Sequence, residues 1–113
     1  MVLLGTLGWT AVAAAREELV LGVINDLNGT ECQIHYPANS VTAFTNLLEK
    51  FSPAHVIFPG DLVHGECLGY MGEKPYATMV QKMWQEFDQN FFSKIRSPVT
   101  AAIAPGNHDA PDG

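Results

Sequence analysis

The sequence predicts an α/β fold in which three parallel strands alternate with two crossover helices. Two observations lead to this prediction: three short apolar runs that contain β-branched residues, and two longer segments between them in which apolar residues recur at helical spacing. The order strand, helix, strand, helix, strand favours right-handed crossovers and a parallel sheet. With 113 residues, 47% of them hydrophobic and 16% charged, the chain has room for a single domain.

The three predicted strands share one construction, an apolar run that leads into a polar residue. LVLGVIN (19–25) leads into Asp26, AHVIFPG (54–60) into Asp61, and VTAAIAPG (99–106) into Asn107. Nearly continuous apolar runs are typical of strands buried on both faces, as in parallel sheets covered by helices. We therefore expect these strands to be buried on both faces.

The two intervals between the strands are predicted to be helices. In residues 41–51 the apolar positions repeat at helical spacing, Asn39 or Ser40 is available as the N-cap, and Pro53 follows the end. In residues 75–95 a stripe of methionine, valine and aromatic residues lies opposite a polar stripe. We interpret that apolar stripe as core and not as a ligand pocket.

The charge of the chain constrains its partners. The formal net charge is -6, and neither lysine nor arginine clusters anywhere. This argues against nucleic acid or an anionic membrane surface as the main partner. The excess of carboxylates either serves bound cations or is the mild acidity common among soluble proteins.

The first residues are predicted to be a signal peptide. The chain is apolar from Val2 to Ala15 and turns charged at Arg16, so residues 1–15 resemble a secretory signal that is cleaved after Ala15. The segment is shorter than the ~20 residues of a membrane span. We therefore expect an exported protein, periplasmic or secreted, with its domain in residues 16–113. No basic residue precedes Arg16, so an incomplete N-terminus or a buried first strand stays an alternative.

The two cysteines, Cys32 and Cys67, have no zinc-binding spacing. In an exported protein they either pair as a disulfide or remain independent thiols. The sequence leaves both open.

Polar side chains are expected to converge at one edge of the sheet. Because ligands of open parallel sheets bind at the carboxyl ends of the strands, Asp26, Asp61, Asn107 and His108 should meet there. Carboxylate and amide oxygens are ligands for divalent cations, and two close carboxylates repel unless a cation lies between them. The sequence therefore predicts a metal site.

Two Pro-Gly pairs strengthen this prediction. Gly60 and Gly106 each follow a proline at the end of a strand and each precede a side chain that can bind a metal. Glycine allows a sharp turn at such a position, so the next side chain can project into the cleft. A Pro-Gly pair by itself is a common turn, and its repetition at two strand ends is the specific signal.

Three motifs resemble those of the calcineurin-like metallophosphoesterases. NDLNG (25–29), GDLVHGE (60–66) and GNHD (106–109) are similar, in order and spacing, to the family motifs Asp-x-His, Gly-Asp-x-x-Asp and Gly-Asn-His-Asp/Glu. The resemblance runs from about Leu19 to the last residue. It implies the first half of a layered α/β/β/α sandwich. It also implies a hydrolase that acts on phosphoester bonds with two divalent metal ions, drawn from manganese, iron, zinc, magnesium and calcium.

The resemblance also implies roles for single residues. Asp26 would bind the first metal, Asp61 would bridge both metals, and Asn107 would bind the second. His108 would lie beside the substrate phosphate, where it stabilises the transferring group or protonates the leaving oxygen. Asp109 is a candidate orienting partner of His108.

Two positions depart from the family pattern. Asn28 stands where the first motif has histidine; it either ligates through its amide oxygen, which favours manganese, magnesium or calcium over zinc, or it does not ligate. In a rival interpretation Asn28 is a glycosylation site, but a glycan there would block the cleft. His64 stands where the second motif ends in aspartate; it either takes over the orienting role or is a solvent-facing loop residue. His35 and His55 are expected to have no role in the site.

The family's remaining metal histidines come after the third motif, and the sequence contains no such residues. We therefore expect the chain to be the N-terminal part of a longer enzyme, inactive without the remaining half of its domain. A half-sheet of this kind would leave an edge strand exposed and an apolar face unpaired.

Two other functions compete with hydrolysis. One is a degenerate, non-catalytic binding or interaction domain that keeps the fold, with Asn28 and His64 as signs of the lost site. The other is a phosphoacceptor signalling domain of flavodoxin-like type, which also has aspartates at strand ends but has no use for the GNHD motif.

Overall fold

The computed structural model describes residues 18–27, 32–65 and 74–109. In these residues the strands β1 (Leu21–Val23), β2 (His55–Phe58) and β3 (Thr100–Ile103) alternate with the helices α1 (Ala38–Phe51) and α2 (Lys74–Asn90). The predicted α/β class, with strands and helices in this order, is confirmed.

The strands form a parallel sheet with the order β1-β2-β3. In its register Val56 of β2 pairs with Gly22 of β1 and with Ala101 of β3, and the adjacent residues pair without a shift along the strands. Because both crossovers step in the same direction across the sheet, right-handed connections place both helices on one face. The ring contacts agree, since Phe58 of β2 lies 6.1 Å from Phe44 of α1 and 5.2 Å from Phe87 of α2 between ring centroids.

The core lies between this face of the sheet and the helices. Val56 and Phe58, alternate residues of β2, are both 0% exposed. The remaining buried hydrophobic residues come from the helices, from the segment that follows α2 and from the loop after β2: Phe44, Leu62, Val63, Met83, Phe87 and Phe91. The apolar stripe predicted for the second helix therefore belongs to the core, as expected.

The opposite face of the sheet is open in the part of the chain that the structure describes. Leu21 is 48% exposed and Val23 is 60% exposed, and all four residues of β3 are exposed. The expectation that the strands are buried on both faces is therefore wrong for β1 and β3. For β1 the physical reason is the strand order, because both helices cover the same face. β3 is an edge strand whose residues are exposed on both faces in the described part of the chain. The expected unpaired apolar face is observed.

The helix ends differ in detail from the prediction. α1 follows Pro37 without a side-chain cap, so the prediction of Asn39 or Ser40 as N-cap is wrong. Both lie within the first turn, where the Ser40 amide donates to the Pro37 carbonyl at 3.0 Å. The end of α1 is confirmed, since Ser52 takes a left-handed conformation (φ 45°) directly before Pro53.

The second helix is shorter than expected. α2 ends at Asn90, and a 3₁₀ turn over Phe92–Lys94 replaces the predicted last turn. The amide of Ile95 donates to the carbonyl of Phe92, a three-residue bond that tightens the chain after the helix. Ile95 still packs against the core, so the apolar spacing alone could not locate the end of the helix.

Candidate functional site

The carboxyl ends of the three strands lie side by side at one edge of the sheet. Past β1, the amide of Asp26 donates to the carbonyl of Gly60 at 3.4 Å. Past β3, the amide of Ala104 donates to the carbonyl of Phe58 at 2.9 Å. The ladder therefore continues beyond the strands on both sides of β2, and it carries the chain into the polar residues that follow.

The two Pro-Gly turns pack directly against each other. A Cβ on Gly60 would lie 2.6 Å from the Cα and from the amide nitrogen of Gly106. A Cβ on Gly106 would in turn overlap the amide and the carboxylate of Asp61. Gly60 also has φ +123°, a conformation that side chains rarely adopt. Glycine at both positions is what allows the loops after β2 and β3 to touch.

Both aspartates at the strand ends have left-handed backbones. Asp26 has φ 52° and Asp61 has φ 54°. Such conformations are uncommon for residues other than glycine, although aspartate tolerates them better than most. They cluster at functional sites, where the surrounding structure holds them in place. Here each marks the point at which the chain turns away from its strand.

The Asp61 carboxylate links the second motif to the third. Its Oδ1 accepts a hydrogen bond from the amide of His108 at 3.1 Å, and the side chain is half-buried. Asp26 is exposed, and its Oδ2 accepts from Asn25 Nδ2 at 2.5 Å. Asn107 is exposed at the same edge. Three of the four predicted metal ligands therefore lie on adjoining strand ends, whereas Asn28 falls outside the described residues.

Asp109 joins the two loops through three backbone amides. Its side chain is buried, with 4% of the residue exposed. Oδ1 accepts from the amides of Leu62 and Val63 at 2.6 and 2.9 Å, and Oδ2 accepts from the amide of Gly106 at 2.6 Å. These charge-assisted bonds compensate the burial of the carboxylate. The predicted role of Asp109 as the orienting partner of His108 stays a prediction, while its contacts make it a clamp between the loops.

His64 lies against His108. The two ring centroids are 5.2 Å apart and the planes meet at 28°, a stacked arrangement. Both residues are half-buried, and the amide of Gly65 donates to the carbonyl of His108 at 2.6 Å. Of the two interpretations of His64, the structure therefore favours a residue beside His108 over one that faces solvent.

Tyr36 holds the loop after β2 from the helix side, a role for which the sequence contains no signal. Its hydroxyl donates to the carbonyl of Leu62 at 2.5 Å, and its ring meets Phe91 edge to face at 4.8 Å. Burial, and then the negative charges of Asp109 and Glu86, raise the pKa of this hydroxyl well above its usual value. The hydroxyl therefore stays a donor throughout the physiological range.

The other two histidines lie away from this edge. His35 Nδ1 is 3.2 Å from Glu86 Oε2, and its side chain is 80% exposed. His55 opens β2 at the amino end and pairs with Thr100 at 2.5 Å through Nδ1. Neither contacts the residues at the carboxyl ends.

The donor set suits hard divalent cations but is incomplete in the described ranges. Carboxylates on adjoining strand ends and an exposed amide are the oxygen ligands that manganese, magnesium and calcium accept. No group of three His, Cys, Asp or Glu able to hold a metal occurs among the described residues. Further ligands for a pair of metals would have to come from Asn28, from water and substrate, or from protein outside these ranges.

Two other predictions concern the chain outside this edge. Cys32 is disulfide-bonded, and no described cysteine is a free thiol. The only other cysteine in the sequence, Cys67, lies outside the described residues. The predicted signal peptide, residues 1–15, also lies outside them, so export stays a prediction. Within the described ranges, no helix has the length and apolarity needed to cross a membrane.

The sequence was compared with models of known protein families, with curated proteins and with solved structures. The model that describes the calcineurin-like phosphoesterases matches residues 19–113. No curated protein and no solved structure matches the chain.

Proposed function

Because the chain belongs to the calcineurin-like phosphoesterase family, we propose that the edge formed by Asp26, Asp61, Asn107 and His108 is part of a binuclear centre for phosphoester hydrolysis. The observation that carries the proposal is the contact between the two Pro-Gly turns. It brings the Asp61 carboxylate into hydrogen-bonding contact with the His108 amide, so the second and third motifs act as one unit.

The proposed metal ligands are Asp26, Asp61 and Asn107, with Asn28 as a fourth. Asp61 is the bridging candidate because it follows the central strand, between the strand ends that lead to Asp26 and Asn107. When bound, divalent ions would neutralise phosphate charge and supply the nucleophile for the in-line displacement. The left-handed backbones of both aspartates are consistent with side chains held in place for such ligation.

His108 is the proposed acid on the phosphate side. Two backbone hydrogen bonds fix its peptide: its amide donates to Asp61 Oδ1, and its carbonyl accepts from the amide of Gly65. A proton donor must be held within hydrogen-bonding reach of the leaving oxygen to be effective. The fixed backbone, together with the stacked ring of His64, supports this role.

The test is hydrolysis of an aryl phosphate ester by the full-length protein with added manganese, magnesium or zinc. We expect Asp61→Asn to lower kcat/KM by at least about 100-fold, a typical loss when one electrostatic group of an active site is removed. Asp88→Asn, on the exposed side of α2, is the matched control and should keep wild-type activity. Full activity in Asp61→Asn would overturn the proposal.

A non-catalytic, degenerate domain is the second candidate function. The presence of Asn28 and His64 where the family motifs have histidine and aspartate favours it. Elemental analysis of the folded full-length protein separates the two candidates. About two metals per chain would support the binuclear centre, whereas fewer than one per chain would support the degenerate domain.

A further inference from the structure

The imidazoles of His64 and His108 stack on each other at the edge of the proposed site. We propose that His64 is the positioning residue of His108, and that the face of its ring holds the His108 imidazole in the orientation that meets the substrate. This role rests on the proposed function of His108.

The geometry of the pair is that of an attractive stack. A centroid distance of 5.2 Å and an interplanar angle of 28° fall in the range of offset-stacked aromatic rings. His64 comes from the loop after β2 and His108 from the loop after β3, so only the folded chain brings the two rings together.

Backbone hydrogen bonds fix the loop on both sides of His64. Before it, the amides of Leu62 and Val63 donate to the Asp109 carboxylate. After it, the amide of Gly65 donates to the carbonyl of His108. Both residues that receive these bonds belong to the loop that carries His108. The position of the His64 backbone relative to His108 is therefore set by these hydrogen bonds.

A stacked neighbour can restrict the ring plane of His108. The terminal torsion of a histidine side chain is broad, so a fixed peptide does not by itself fix the imidazole plane. A neighbouring ring that stacks on the imidazole limits the tilt of its plane by direct contact of the two ring faces, without a hydrogen bond.

The surroundings of the ring nitrogen Nδ1 of His64 support the same conclusion. Nδ1 of His64 is buried and has no hydrogen-bond partner among the described residues. An unpaired buried polar atom costs free energy, so its replacement by carbon should be tolerated. The inference is that the ring face of His64 matters and that Nδ1 does not.

The test compares His64→Phe, which keeps a ring, with His64→Ala, which removes it, both in the full-length protein. We expect His64→Ala to lower kcat by about 10- to 100-fold with little change in KM, the range found when orienting groups are lost. His64→Phe should keep most of the wild-type kcat. His55→Ala, at the amino end of β2, is the control and should behave as wild type.

A second measurement reports on the His108 ring directly and does not depend on catalysis. In NMR spectra of the metal-free protein, the ring protons of His108 should lose their ring-current shift in His64→Ala and keep it in His64→Phe. His108→Asn supplies the assignment of these signals. Unchanged His108 signals in His64→Ala would show that the rings do not stack, which would overturn the proposal.

The kinetic outcomes also separate the two proposals. If wild type is active and His64→Phe is as slow as His64→Ala, a nitrogen of His64 is required; the positioning role is then wrong and the proposed function stands. If wild type hydrolyses no phosphoester with any of the metals, the proposed function and this role fail together.

Discussion

At the scale of single residues, the close approach of the Gly60 and Gly106 backbones determines how the two loops of the site meet. The left-handed backbone of this residue and its contact with Gly106 leave no space for a side chain. The Asp109 carboxylate also holds the two loops together, because it accepts hydrogen bonds from backbone amides of both. Small residues and one buried charge thus place Asp61 and His108 next to each other.

Gly60→Ala should lower the free energy of unfolding by more than about 1 kcal/mol, because alanine disfavours a positive φ and its Cβ meets the backbone of Gly106. Urea denaturation measures this change. Gly22→Ala is the control: its Cβ would lie 3.0 Å from Cδ2 of Leu47, a side chain that can move, so its cost should be smaller. Equal losses in both variants would contradict the close approach at Gly60.

Tyr36 gives the stability a dependence on alkaline pH. Its pKa is raised in the folded state, so the hydroxyl stays protonated there while the unfolded chain loses its proton above the ordinary value of about 10. The contribution of Tyr36 is therefore fully present below that value and decreases as the pH rises through it.

The variant Tyr36→Phe isolates this contribution. At pH 8 it should be less stable than wild type, because the hydrogen bond to the Leu62 carbonyl is lost. At pH 11 the difference in unfolding free energy should be smaller, since wild type is then penalised by ionisation of the unfolded Tyr36. Urea denaturation at both pH values checks this, and a difference that grows with pH would refute it.

At the scale of elements, β2 organises both the core and the site. It pairs with β1 on one side and with β3 on the other. Its alternate residues Val56 and Phe58 are fully buried beneath the helices, and its carboxyl end leads into Asp61. Packing that fixes β2 therefore also fixes the central ligand of the proposed centre.

Phe58→Ala should destabilise the protein by about 3–5 kcal/mol, as expected for the loss of a buried aromatic ring. Phe58 is 0% exposed and contacts rings from both helices. Phe51→Ala, at the end of α1 and 62% exposed, is the matched control and should cost less than about 1 kcal/mol. Chemical denaturation of the two variants gives the comparison. Similar losses would mean that Phe58 does not lie in the core.

At the scale of the whole molecule, strand order decides what is covered and what is open. Sequential parallel strands with crossovers of one hand collect all three carboxyl ends at one edge and both helices on one face. The other face keeps Leu21 and Val23 exposed in the described part of the chain. The same topology thus accounts for the shared edge of the site and for the open apolar face.

The sequence alone determined the fold class, the element order and the neighbourhood of Asp26, Asp61 and Asn107. These depend on local signals: apolar runs show strands, periodicity shows helices, and a polar residue after each run marks the carboxyl end. Topology rules then place those ends together without any knowledge of side-chain contacts. The family motifs follow the same order along the chain, and the match over residues 19–113 agrees with them.

Only the tertiary structure decided which face of the sheet is covered, that Asp109 binds backbone amides, and that His64 stacks on His108. Each depends on atoms from segments far apart in sequence, so no local pattern encodes it. The start of α1 at Ala38 belongs here too, since the capping residues Asn39 and Ser40 were available one and two positions later and were not used. A sequence shows which residues reach the edge, but the hydrogen bonds between the loops decide how they meet there.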